Sequence, residues 1–273
     1  MTSSVDRSFS AGAARGAAGA LIFSLPIMMT MEMWWLGFYL EPFRISALLL
    51  ATLPVLLGLA HFVGFRQPGP LTEDVIDVLV ALLIGAATAA AGLYVLGLLH
   101  SDVTAREAVS KIVLQTIPAS IGALLARSQI TGSQSSGESQ QVRNASYGGE
   151  LFLMAAGALF LSLNLAPTEE IVVIAYQLGP WQDLSLLVFS VIVMHVIVYW
   201  LNSGGGELHS DHGFFSLFAN YTVTGYAIVL VASLFVLWAF GRIDGDGFEH
   251  IMSKAIVLSF PGAIGAAATR AIL

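Results

Sequence analysis

Cysteine is absent from this sequence, which removes disulfides, thiolate metal sites, iron–sulfur ligation and cysteine nucleophiles together. Charge is scarce as well. Only 11% of the residues are Asp, Glu, Lys or Arg, against about 25% in an ordinary soluble domain. The net charge of −7 is spread over short polar segments and no basic patch forms, so nucleic-acid binding has nothing to rest on. No phosphate-binding glycine loop is present, which argues against direct ATP-driven pumping. No membrane-protease or phosphatase signature is recognisable, and the chain is read as a non-enzyme. Nor is the first apolar run expected to be a cleavable leader. It is too long and carries Glu32, Trp34 and Trp35.

What is there is apolar: 56% of the residues are hydrophobic. A helix needs about 20 residues to cross the hydrocarbon of a bilayer. Segments near 13–40, 43–65, 75–99, 108–127, 150–178, 184–201, 214–241 and 251–272 qualify. The expected fold is therefore all-α, a polytopic membrane protein of about eight transmembrane helices. Its first partner is the lipid bilayer, and its expected place is a bacterial inner membrane. Pro and Gly mark the breaks between spans, as in Glu41-Pro42 and Gly179-Pro180. Arg7 and Arg15 precede the first span, which favours a cytoplasmic N-terminus.

A polar linker rich in Ser, Gln and Gly covers 128–149 and divides the chain. The two halves resemble each other. Ser110-Lys111, Pro118, Ile121-Gly122-Ala123 and Arg127 recur as Ser253-Lys254, Pro261, Ile264-Gly265-Ala266 and Arg270, at an offset of 143. Ala17-Ala18-Gly19-Ala20-Leu21 recurs as Ala155-Ala156-Gly157-Ala158-Leu159 at an offset of 138, which also pairs Thr30 with Thr168 and Glu32 with Glu170. The expected domains are a first four-helix repeat over 1–127, the linker 128–149, and a second repeat over 150–273. An even number of helices per repeat makes the two parallel rather than inverted.

Glu32 lies among Met28, Met29, Thr30, Met31, Met33, Trp34 and Trp35. A carboxylate inside a span is costly and is by default a functional site. Its repeat mate Glu170 strengthens that reading. Carboxylates converging on one axis suit a calcium ion or another divalent cation and select inorganic cations in channels. No cofactor is required. The competing readings are a glutamate reaching the interface beside an aromatic belt, or a neutral glutamate that fixes packing. Leu21, Leu25 and Met28 precede Glu32 at helical spacing, and Leu159, Leu163 and Ala166 precede Glu170 in the same way.

On these residues the first helix of each repeat resembles the pore helix of Orai-type store-operated calcium channels, which are also four-helix units with a glutamate near the outer end. The resemblance implies a carboxylate filter at Glu32 and Glu170 above an apolar gate. The basic stretch that precedes the pore helix in that family is missing, and Pro26 and Pro167 interrupt where that family has none. The whole chain also resembles a family of bacterial integral membrane proteins with no assigned activity. The expected function is a cation channel or transporter, calcium-permeable, assembled as a homo-oligomer.

Other residues carry weaker signals. Asn164 to Thr168 reads as a helix break, and Pro118 and Pro261 as equivalent kinks or hinges. Lys111 and Lys254 are read as interfacial anchors, or as flanks of an ion path. His209, Asp211 and His212, with Glu207, could ligate a transition metal. That loop supports the rival reading, a metal-dependent membrane-embedded enzyme. A sensor or scaffold without transport is the third. His195, within a span beside Met194, could relay protons, although a packed, hydrogen-bonded histidine is the commoner case. Small residues from Gly85 to Gly92 are read as a packing surface.

Overall fold

Inside a bilayer every backbone amide and carbonyl needs an internal partner, so an apolar chain of this kind folds as helices. The structure, a computed structural model, describes residues 2–63, 71–130, 147–204 and 214–272. Among the described residues it is helical throughout. Seven helices are long and apolar enough to span a membrane, and a bent pair at the N-terminus makes an eighth. The chain divides into two compact units, Met1–Asn144 and Ala145–Leu273.

In unit 1, α1 (Thr2–Met28) is followed by a short helix α2 (Met31–Tyr39), then α3 (Pro42–Val63), α4 (Leu71–Val95) and α5 (Ala105–Ile130). In unit 2, α6 (Tyr147–Leu165) and the short α7 (Glu169–Gln177) precede α8 (Pro180–Gly204). A one-turn helix α9 (Phe214–Leu217) then runs through a π-helical segment (Phe218–Val223) into α10 (Thr224–Ala239), and α11 (Phe248–Ile272) closes the unit. Both units therefore have the same order, in which a broken first span is followed by three further spans. The expected continuous helices 13–40 and 150–178 are each two helices.

Close backbone approach holds the first and last spans of each unit together. A Cβ on Gly122 would stand 2.7 Å from the carbonyl oxygen of Gly19 and 2.5 Å from Phe23 Cβ. In unit 2, Gly157 and Gly265 face each other's carbonyls so closely that no side chain fits at either position. These glycines are repeat mates: Gly19 pairs with Gly157 and Gly122 with Gly265. Without a hydrophobic drive between helices in lipid, such small-residue contacts supply the packing. The small face of α4 serves the same end, with Gly85 against Ser120 and Gly92 against Met28. Pro118 and Pro261 stay inside α5 and α11.

Candidate functional site

The break in unit 1 begins where α1 ends at Met28 and α2 turns away by 84°. Thr30 is extended, with φ −87° and ψ 130°, so the helical hydrogen-bond ladder stops there. The stranded carbonyls find other donors. Ile27 accepts from Thr30 Oγ1 at 2.8 Å and from Gln115 Nε2 at 3.5 Å. Met28 accepts from the Trp34 indole at 2.7 Å. Unit 2 repeats this turn. Thr168 is extended, and its Oγ1 donates to Leu165 at 2.9 Å. The Pro167 carbonyl accepts from the Arg242 guanidinium. Broken membrane helices are tolerated where side chains satisfy the freed groups.

Glu32 and Glu170 each take the second position of the short helix that follows the break. Glu32 is half-buried, while Glu169 and Glu170 are exposed. A carboxylate in the first turn of a helix is stabilised by the unpaired amides and the dipole there. That is a local structural reason for glutamate at this point, and it is the same in both units.

Beneath each short helix lies a buried lysine. Lys111, 7% exposed, pairs with Glu107 at 2.6 Å and reaches the Leu98 carbonyl at 3.4 Å. Lys254, 3% exposed, pairs with Asp246 at 2.5 Å and donates to the Arg242 carbonyl at 2.8 Å. Its Nζ also lies 5.1 Å from the centre of the Tyr176 ring. Leu98 and Arg242 follow Gly97 and Gly241, whose φ values of 73° and 70° are open to glycine at little cost. Each glycine closes a helix in the same way. Leu98 N bonds to Leu93 O at 2.9 Å, and Arg242 N bonds to Leu237 O at 2.8 Å, the pattern of a Schellman C-cap. The lysines thus tie the last span of each unit to the end of the preceding one.

In unit 2 this cluster is the more extensive. Tyr176 donates to Asp246 at 2.9 Å. Ser253 donates to Asp183 at 2.9 Å and to the Ala175 carbonyl at 3.1 Å. Burial pushes the Asp246 carboxyl up, but the hydrogen bonds from Lys254 and Tyr176 and the Lys254 charge outweigh it and hold the group below the usual carboxylate range. The bond to Asp246 in turn raises the Tyr176 phenol, with desolvation adding to the shift.

The other expected site residues are scattered. Leu21 and Leu25 are exposed on α1, whereas Met28 is buried against Gly92. Leu159 is half-buried on α6, and Leu163 and Ala166 are buried. Glu32 and these apolar residues do not share one straight helix, because the break falls between Met28 and Glu32. His209, Asp211 and His212 lie outside the described residues, as do the side chains of Arg127 and Arg270. Among the described residues no three His, Asp or Glu side chains are grouped to hold a metal ion.

Sequence matching missed the hydroxyls in the middle spans. Thr52 and Ser190 are repeat mates at the offset of 138, and each bonds back to the carbonyl four residues earlier. Thr116 and Ser259 are mates at 143 and likewise bond to carbonyls of their own helices. Single hydroxyls among Leu, Val and Ile give a weak signal, and only the matched bonds bring it out.

Comparison with known proteins yields one match. Residues 12–273 match the family described as "Putative integral membrane protein (DUF2391)". No curated protein and no solved structure matches the chain.

Proposed function

From the premise that this chain belongs to the DUF2391 family of integral membrane proteins, we propose that it moves inorganic cations across the membrane as a channel or carrier. Glu32 in the first unit and Glu170 in the second each offer a carboxylate to the ion. The observation that carries this reading is the duplicated break. Each unit interrupts its first span at an extended threonine and places a glutamate two residues later. Discontinuous helices at matching points of two repeats are the usual pointer to a substrate path.

Local charge supports a cation. At the break end of unit 1 stand Glu32, Glu41, Asp102 and Glu107 against Arg44, Arg106 and Lys111. In unit 2, Glu169, Glu170, Asp183, Asp244, Asp246 and Glu249 face Arg242 and Lys254, both of which bond to groups of their own unit. An acidic mouth raises the local cation concentration. Calcium takes about six to eight oxygen ligands, more than one protomer's glutamates supply, so a homo-oligomeric ring completes the site. Leu21 and Leu25 lie on the exposed face of α1, where such a ring forms its apolar constriction. Met28, Leu163 and Ala166 pack within their units.

Flux of calcium, sodium and potassium into liposomes carrying the purified protein tests this. Wild type conducts, and Glu32→Gln and Glu170→Gln each abolish the flux or change its selectivity. No flux of any of these cations, or flux indifferent to both changes, overturns the reading.

A further inference from the structure

The interior of unit 2 holds a set of buried polar groups, some of which have apolar counterparts in unit 1. His195 stands about 22 Å along α8 and is 6% exposed. Its Nδ1 is 2.8 Å from Thr222 Oγ1, a residue with no exposure at all. Thr222 belongs to the π-helical segment Phe218–Val223. Such segments are rare and concentrate at functional sites. One turn on, the Tyr226 hydroxyl is 2.7 Å from Ser259 Oγ. The hydroxyls of Ser162 and Ser233 are fully buried, have no partner among the described residues, and both approach Gly262. Ser253 donates to Asp183.

The comparison between units separates scaffold from speciality. Ser24, Thr52 and Thr116 take the places of Ser162, Ser190 and Ser259 in unit 1. Leu57 takes that of His195 at the offset of 138; at the offset of 144 that pairs Gly97 with Gly241, Val78, Leu82 and Ala89 take those of Thr222, Tyr226 and Ser233, while α4 buries polar groups of its own in Asp74, Asp77 and Thr88. The second set of hydrogen-bonding groups is therefore peculiar to unit 2. Buried polar groups cost free energy in an apolar interior, and an ionisable residue within a span is by default a candidate functional site.

We propose that unit 2 encloses a proton-relay site, the Thr222–His195 pair with the Tyr226–Ser259 pair one turn away, and that His195 is its proton-binding group. Each hydroxyl accepts a proton on its oxygen and passes its own to the next. The imidazole takes a proton on one nitrogen and releases one from the other, so no electrons move and no bond other than O–H or N–H changes. The step of about one helical turn between Thr222 and Tyr226, about 5 Å, is bridged by water. The titratable groups on the elements around His195 are Tyr199 on α8, Tyr221 in the π segment, Tyr226 on α10, Tyr147 and Glu150 on α6, and Glu249, His250, Lys254 and Arg270 on α11. The site is independent of the cation reading, because it needs neither Glu32 nor Glu170.

The test uses full-length protein in liposomes with a pH dye inside, the voltage clamped by potassium and valinomycin, and no other gradient. After the outside is stepped by about one pH unit, wild type admits protons faster than protein-free vesicles. His195→Gln and the isosteric Thr222→Val lower that rate at least about tenfold, Tyr226→Phe lowers it too, and Thr222→Ser retains it. Wild-type rates equal to those of empty vesicles overturn the proposal, as do rates unchanged in both His195→Gln and Thr222→Val.

Discussion

At the scale of single residues, the ion pair under the second short helix makes the firmest predictions. Lys254 and Asp246 have side chains only 4% and 11% exposed. Removing the cation leaves a carboxylate enclosed without its partner, so Lys254→Met should destabilise the protein by about 3–5 kcal/mol. Unfolding in detergent, followed by tryptophan fluorescence, measures it. Acid acts through the same pair. The folded Asp246 carboxyl lies below its ordinary value of 3.8, so its contribution to stability is complete above that value. It is lost as pH falls through the depressed folded value. Asp246→Asn should therefore remove part of the steepening of wild-type stability loss below about pH 4, and identical acid profiles for the two proteins would exclude this role. The lysine itself was legible in the sequence as a repeated Ser-Lys pair. Its partners were not, because Asp246 and Glu107 occupy unrelated positions in the two repeats and only the common carbonyl contact links them.

At the scale of elements, the repeated glycines decide how tightly each unit closes. Gly157→Ala or Gly265→Ala puts a methyl group against backbone, and Gly122→Ala against Phe23 and the Gly19 carbonyl. Each should cost about 1–3 kcal/mol by overpacking, read as a lowered unfolding midpoint. Gly12→Ala meets nothing within 4 Å and should change stability by less than about 0.5 kcal/mol. The helix breaks were half legible. Pro167 announced the one in unit 2, as the residue that cannot continue a helix. The break at Thr30 has no such marker, since Pro26 sits inside α1. It could have been inferred from the pairing of Thr30 with Thr168, whose hydroxyls make the same bond to the carbonyl three residues earlier. The π-helical segment left no trace in composition. It follows from tertiary packing around Thr222 rather than from local preference, and with it the His195 partnership stayed hidden.

At the scale of the whole molecule, the number of spans decides on which side of the membrane each loop lies. Each unit contributes four crossings if its first span counts once, whether or not that span is broken. An even count returns the chain to its starting side, so the turn between α4 and α5 and the turn between α10 and α11 face the same compartment. An inverted repeat, with an odd count per unit, would put them on opposite sides. The lack of cysteine makes the distinction direct, because one introduced thiol is the only one present. Asp102→Cys and Asp244→Cys place it in those two turns. With the N-terminus in the cytoplasm, as Arg7 and Arg15 favour, a membrane-impermeant maleimide should label both variants in intact cells. Labelling of both only after the cells are opened would keep the parallel arrangement but reverse the orientation, and with it the face on which Glu32 and Glu170 meet their ion. Labelling of one and not the other would break the parity and exclude a parallel repeat.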